Sequence, residues 1–384
     1  QKLGSKVTFK KNRCEIIGVG LNYKIKKNLI LNAGNSGTLS RLILGLLINY
    51  DKQIKLIGDK SLSKRDFKRV ITPLKKFGAK FLSKSKNLPI KMRGLYQPLP
   101  IKYFERLGSA QCKTSIMLAA LKANGVTKIK AKKSRNHTEL LFKYLKIPVK
   151  IHSTKNFDFI NIKKVNHIRP LNYRIPGDIS SCSFFIVLTV LSKNSKLLIK
   201  NINVNKTRIG IIYILKRMGA NIKIKNKNLE TGELVADIHV SYSPNLNGIE
   251  VPKERSPRMI DEYPILSILA ATAKGPTIMN GIKELRFKES DRISAISDGL
   301  KRSGVCISEK QDKLTIFGKG NQNIKGGSII DASNDHRIAM SFAILGSITE
   351  ESVEIRGASS IKTSFPNFID LMNSLGLDIS ILKR

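Results

Sequence analysis

One arrangement recurs along the chain at a nearly fixed interval: a helical run, a residue that stops it, and a strand leading away. Phe67, Val70, Ile71, Leu74 and Phe77 share one face of a 3.6-residue helix. Gly78 ends that run, because glycine reaches the left-handed backbone of a helix C-terminus without a Cβ clash. Lys80-Phe81-Leu82 then leads away. The same order precedes Gly219, Gly304 and Gly376, and a weaker copy without glycine ends at Leu145-Lys146-Ile147. Leu3-Gly4 carries the signature with no helical run ahead of it. Anchors at positions 4, 78, 147, 219, 304 and 376 are separated by 74, 69, 72, 85 and 72 residues. Spacing this regular implies a duplicated supersecondary unit. At 384 residues the chain also exceeds the size at which one hydrophobic core stops growing. Three units per half predict two α/β (α+β) domains of similar design, residues 1–176 and 177–384. The break is placed at Pro176-Gly177-Asp178, where a turn dipeptide follows an extended stretch. The first unit shows its last strand but not its helix, so the spacing predicts a unit truncated at its start.

The formal charge of +41 raises the question of nucleic acid. Lysine is spread evenly and travels with isoleucine and asparagine, there is no Trp, and no basic run is interleaved with stacking residues. A solvated lysine-rich surface is the preferred reading over a dedicated nucleic-acid face. Such a surface still steers small anions inward at long range. Cys14, Cys112, Cys182 and Cys306 form no CxxC pair or His/Cys cluster at zinc spacing, and read as reduced thiols of a cytosol-like compartment. No apolar run approaches the ~18 residues needed to cross a bilayer. The opening Gln1-Lys2-Leu3-Gly4 has neither a secretion-signal core nor an initiator Met.

Small hydroxyl, glycine and charged residues gather where strands give way to helices. Asn35-Ser36-Gly37-Thr38 opens an apolar run, and a Gly-rich turn at a helix start offers free N–H groups and a positive dipole end to an anion. An ordinary cap made by Ser36 or Thr38 is the plainer alternative. Gly58 to Arg65, Ser109 to Ser115 and Pro176 to Ser181 stand at comparable places. In Met259-Ile260-Asp261-Glu262-Tyr263-Pro264 the proline fits a first helical turn, which makes Asp261 a candidate helix cap. Lys288-Glu289-Ser290-Asp291-Arg292 is the densest constellation. Lys288 and Arg292 at i,i+4 on a helix would repel, so a shared anion explains them better than a bare surface pair. Asp335-His336-Arg337 closes the set, with His336 read as a packed or capping side chain.

The order of these segments (GNSGTLSR, GDKSLSKRDFKRVITPLKKFGA, SAQCKTS, RNHTE, PGDISS, DEYPIL, LRFKESDRI, DHRIAM and SFPNF) resembles the EPSP synthase family over essentially the whole chain. The wording is most similar to its bacterial class II branch. The resemblance implies two domains, each of three βαβαββ units in an inside-out α/β barrel, which agrees with the anchors counted above. The family's opening PGDKSxSxR motif superficially fits Gly58 to Arg65. That stretch follows GNSGT, however, and matches the later arginine-bearing segment, so the opening motif is expected to lie outside this sequence.

The implied reaction moves the enolpyruvyl group of phosphoenolpyruvate to the 5-hydroxyl of shikimate 3-phosphate, in the shikimate pathway to chorismate and aromatic amino acids. By resemblance Asp261 is the base on the hydroxyl and Glu289 the proton donor to the methylene carbon. Those opposite jobs need environments that push two carboxyl groups apart; the expectation is a helix start holding Asp261 ionised and desolvation keeping Glu289 protonated. Gly37, Arg65, Gln111, Arg292, Arg337 and Lys362 are implied for phosphoenolpyruvate. Ser109, Ala110, Gln111, Arg135, Asp261 and Lys288 are implied for shikimate 3-phosphate. No metal or organic cofactor is implied, and the expected protein is a cytoplasmic monomer without a specific nucleic-acid or membrane partner. Gly37, where tolerant relatives carry Ala, implies sensitivity to glyphosate. Two rivals remain: the sister transferase acting on UDP-N-acetylglucosamine, and a noncatalytic basic nucleic-acid-binding relative.

Overall fold

Strict alternation builds the strands. In Val126–Lys132 the side chains of Thr127, Ile129 and Ala131 are buried while Lys128, Lys130 and Lys132 face water. Many of the lysines behind the high charge are thus the outward half of a period-two pattern. The computed structural model describes residues 1–11, 13–21, 23, 29–83, 85–320 and 322–382. They form two compact units, Gln1–Tyr173 and Arg174–Arg384.

In the first unit Lys102–Glu105 pairs in parallel with Val126–Lys132. That strand pairs antiparallel with Phe157–Lys163, which in turn pairs antiparallel with Val149–Ser153. A parallel pair needs a crossover and an antiparallel pair only a hairpin. Accordingly the helix Ala110–Ala120 joins the parallel strands, and Thr154 to Asn156 suffice for the final hairpin. The sheet of Leu29–Asn32, Gln53–Ile57, Ile90–Arg93 and Lys80–Phe81 repeats this order and these directions. So, in the second unit, does that of Glu250–Val251, Lys274–Asn280, Lys313–Lys319 and Cys306–Lys310. Lys196–Asn203, Glu233–Ser241 and Asn221–Glu230 form a further copy, with Gly177 bridging Ile202 in the parallel sense. The glycines at 4, 78, 219, 304 and 376 all take positive φ, from 81° to 104°. Lys146 does the same at 55° in the copy that lacks glycine.

Each unit has its own core. Leu44, Ile54, Phe67, Phe77, Ile116 and Ile160 belong to the first; Ile186, Leu266, Ile293, Phe342 and Phe368 belong to the second. Tyr263–Thr272 is buried from Tyr263 through Ala271, so it is a central helix and not an amphipathic surface one. Charged residues are absent from its length and stand just ahead of it, at Asp261 and Glu262. Gly45 marks a close helix crossing in the first unit, since an added Cβ would lie 2.1 Å from the Ser115 carbonyl oxygen. Among the described residues no helix is long and apolar enough to cross a membrane.

Candidate functional site

In the first unit the crossing of Gly37–Leu46 with Ala110–Ala120 sets two helix starts side by side. Gly37 is the first helical residue and Ser36 the cap, its hydroxyl accepting from the Leu39 N–H at 3.1 Å. Arg41, one turn on, donates from Nη1 to Gln111 Oε1 at 2.8 Å, and Gln111 Nε2 donates to Thr38 Oγ1 at 2.8 Å. A Cβ on Gly37 would lie 3.0 Å from Arg65 Nη1 and 3.1 Å from Arg41 Nη1. Gly37, Arg65 and Gln111 therefore share one small neighbourhood, held together by Arg41, which sequence reasoning passed over. Its signal was the i,i+4 spacing from Gly37.

Ser109 caps the Ala110–Ala120 helix, accepting from Cys112 N–H at 3.3 Å. The turn before it is fixed by Glu105, whose carboxylate accepts from the N–H groups of Leu107, Gly108 and Ser109. Burial pushes the Glu105 carboxyl upward against those three bonds. Arg135 stands half-buried just before the His137–Tyr144 helix. Lys113 and Glu139, a buried pair at 2.5 Å, tie the two helices together.

The second unit holds a denser cluster. Asp261 Oδ1 lies 3.3 Å from Lys288 Nζ and 3.5 Å from Arg292 Nη1. Arg292 is 1% exposed, and Nη2 also donates to Glu289 Oε2 at 2.7 Å. Its other edge is held by Asp335, fully buried, which accepts from Nε at 2.8 Å and Nη2 at 3.2 Å. Burial works against the charge on Arg292, yet Asp335, Glu289 and Asp261 outweigh it and hold the guanidinium protonated. Asp335 also caps His336–Gly346 through the Arg337 N–H at 2.9 Å. From the same helix Arg337 Nη1 donates to the Asp261 carbonyl at 3.1 Å. The structure thus brings Asp261, Lys288, Glu289, Arg292 and Arg337 into one cluster. Lys362 is exposed on the short Ile361–Ser364 helix, which packs against His336–Gly346.

Two local expectations change. Asp261 is not a helix cap: Glu262 holds that position, makes no side-chain cap bond, and Pro264 occupies the first turn. The Asp261 carboxylate therefore faces two neighbouring cations, Lys288 and Arg292, in place of a helix start. Lys288 and Arg292 do not share a helix either, because Asp291 caps Arg292–Arg302 and Lys288 ends the preceding 3-10 turn. The anion between them is the Asp261 carboxylate. His336 opens its helix beside Asp335, and burial, with Arg337 nearby, pushes its imidazole below the usual range. All four cysteines are free, and burial pushes the Cys112 and Cys182 thiols up to about 12, which leaves them poor nucleophiles.

Residues 1–372 match the family described as EPSP synthase (3-phosphoshikimate 1-carboxyvinyltransferase). The chain is 40% identical over 381 residues to the 3-phosphoshikimate 1-carboxyvinyltransferase of Chelativorans sp. (strain BNC1), spanning 98% of this chain and 85% of that protein. It is 42% identical over 385 residues to that of Vesicomyosocius okutanii subsp. Calyptogena okutanii (strain HA), spanning 100% and 87%. A solved EPSP synthase from Acinetobacter baumannii superposes with a TM-score of 0.88 at 36% identity, covering 100% of this chain and 87% of that one.

Proposed function

The chain belongs to the EPSP synthase family of 3-phosphoshikimate 1-carboxyvinyltransferases, and from that premise we propose how its own residues divide the work. The reaction transfers the carboxyvinyl group of phosphoenolpyruvate to the 5-hydroxyl of shikimate 3-phosphate, giving EPSP and inorganic phosphate. Asp261 takes the hydroxyl proton as the oxygen attacks C2 of phosphoenolpyruvate. Glu289 gives a proton to the methylene carbon, which becomes a methyl group. The tetrahedral adduct then loses phosphate as a methyl proton is withdrawn and the double bond returns. Arg292 lies against both carboxylates, at 3.5 Å from Asp261 and 2.7 Å from Glu289, and that pairing is the observation that carries the reading. It keeps two acidic groups with opposite tasks at one guanidinium, where a small proton transfer to either is felt by the other.

Arg65, Arg292 and Arg337 bind the carboxylate and phosphate of phosphoenolpyruvate, since guanidinium forks match both anions in a way that lysine does not. Gly37 gives that ligand close approach to the backbone, Gln111 hydrogen-bonds it, and Lys362 adds a point charge. Ser109, Ala110, Gln111, Arg135 and Lys288 hold shikimate 3-phosphate, with Asp261 on its 5-hydroxyl. The +41 charge gathers both polyanionic substrates. The protein acts as a cytoplasmic monomer without a dedicated nucleic-acid partner. Asp261→Asn and Glu289→Gln, made in the protein as its gene encodes it, should each lower turnover by at least about 10²-fold. Shikimate 3-phosphate should still bind the Glu289 variant. Unchanged turnover in either variant removes that residue from its role.

A further inference from the structure

Glu262 has no task in the mechanism above, yet it is costly to bury. It is a carboxyl group at 1% exposure, and such a group is retained against its desolvation only where partners hold it. Its place at the start of Tyr263–Thr272 suggests a cap, but its side chain makes no bond to that helix. The carboxyl instead meets two other segments, one of them braced in turn by a third. Ser180, fully buried at the start of Ile179–Leu191, donates its hydroxyl to Glu262 Oε1. Arg208 Nη2 donates to Ser180 Oγ at 2.8 Å and to Asp178 Oδ1, the cap of that helix, at 2.7 Å. On the far side Arg337 Nη1 lies 4.0 Å from Glu262 Oε1 while donating to the Asp261 carbonyl at 3.1 Å.

We propose that Glu262 is a positioning residue: braced by Ser180, which Arg208 holds in turn, it keeps the Arg337 guanidinium in place for phosphoenolpyruvate. Consecutive residues hold one atom of Arg337, Nη1, through the Asp261 carbonyl at 3.1 Å and the Glu262 carboxyl at 4.0 Å. A guanidinium that receives an anion through two parallel bonds gains from being held in one rotamer before the anion arrives. Burial raises the Glu262 carboxyl above its usual range, with the Asp261 charge acting the same way and Arg337 and Arg208 against it. The group therefore sits where small changes around Arg337 reach it. The inference rests on the assignment of Arg337 to phosphoenolpyruvate.

The test uses the protein as its gene encodes it, with kcat and both KM values measured for Glu262→Leu, Glu262→Gln, Ser180→Ala and Arg337→Lys. Glu262→Leu removes the acceptor and the charge, and should raise KM for phosphoenolpyruvate about tenfold, the cost of ordering one long side chain on binding. KM for shikimate 3-phosphate should stay within about twofold, and Glu262→Gln, whose amide oxygen still accepts from Ser180, should recover most of the loss. On the Arg337→Lys background Glu262→Leu should add less than about twofold, because residues acting through one another are not additive. Equal multiplication on both backgrounds overturns the positioning role, as does a folded Glu262→Leu with native KM for phosphoenolpyruvate. Should Glu262→Leu not fold, Ser180→Ala decides: a selective rise in that KM supports the role, and a native value refutes it. If Arg337→Lys alone leaves KM for phosphoenolpyruvate native, the assignment of Arg337 is what fails, and the positioning role falls with it.

Discussion

Asp335→Ala should be the most damaging single truncation in the second unit outside its apolar core. Asp335 is fully buried, accepts two bonds from Arg292 at 2.8 and 3.2 Å, and caps His336–Gly346 through the Arg337 N–H. Removing it leaves one edge of a guanidinium that is 1% exposed without its countercharge. Breaking a buried pair in this way costs about 3–5 kcal/mol. The lost cap adds about 1 kcal/mol, and neither group is exposed enough for solvent to screen the loss. For a unit of this size roughly 4–6 kcal/mol corresponds to a fall in Tm on the order of 10–20 °C. Asp335→Asn keeps an oxygen for the cap and a neutral acceptor for Arg292, so it should lose clearly less. Differential scanning calorimetry on the two variants and the parent protein measures this directly. An alanine variant melting within about 2 °C of the parent would refute the reasoning, because stripping a buried guanidinium of the carboxylate along one edge cannot be that cheap.

Two further outcomes follow from the same geometry. Gly37→Ala should leave Tm nearly unchanged, since the new Cβ crowds the flexible ends of Arg65 and Arg41, at 3.0 and 3.1 Å, and touches Leu62 at an ordinary 3.8 Å. Glyphosate inhibition constants against phosphoenolpyruvate should nevertheless weaken well beyond any change in substrate KM, and equal effects on both would place tolerance elsewhere. His336 is held neutral by burial, so the folded state binds fewer protons there than the unfolded chain at mildly acidic pH. Its contribution to stability is present above the unfolded value of about 6.5 and lost as pH falls below it. Denaturant unfolding across that range should show a slope that His336→Asn flattens; an identical slope in the variant contradicts this.

The repeated fold was legible because its punctuation is local. Five helices end at a residue of positive φ, Gly4 takes the same backbone with no helix ahead of it, and five of these six places carry glycine, the residue that backbone favours. Lys146 takes the same conformation without glycine, which is why its copy read more weakly. Alternation in stretches such as Val126–Lys132 was equally open to inspection. The site was only half legible. Asp261, Lys288, Glu289, Arg292 and Arg337 stand in short polar runs that attract notice. Their supports do not: Ser180 meets Glu262 across 82 positions and Arg292 meets Asp335 across 43. Nothing in a local pattern distinguishes a serine that braces a buried carboxyl from one that caps a helix. Asp335 does both kinds of work at once, and only the cap could be read from its neighbours. Asp261 was misread for the same reason, since a carboxylate ahead of a proline-led helix looks like a cap until its cationic partners are in view.

The central claim is transfer of an intact carboxyvinyl group to a defined hydroxyl, and ³¹P NMR of the protein as its gene encodes it, mixed with phosphoenolpyruvate and shikimate 3-phosphate, tests it most directly. The phosphoenolpyruvate signal should fall in step with the rise of inorganic phosphate. The phosphate on the shikimate ring should shift without being lost, and no change should occur when shikimate 3-phosphate is left out. Phosphate release without that acceptor, or equal release with UDP-N-acetylglucosamine in its place, would contradict the account.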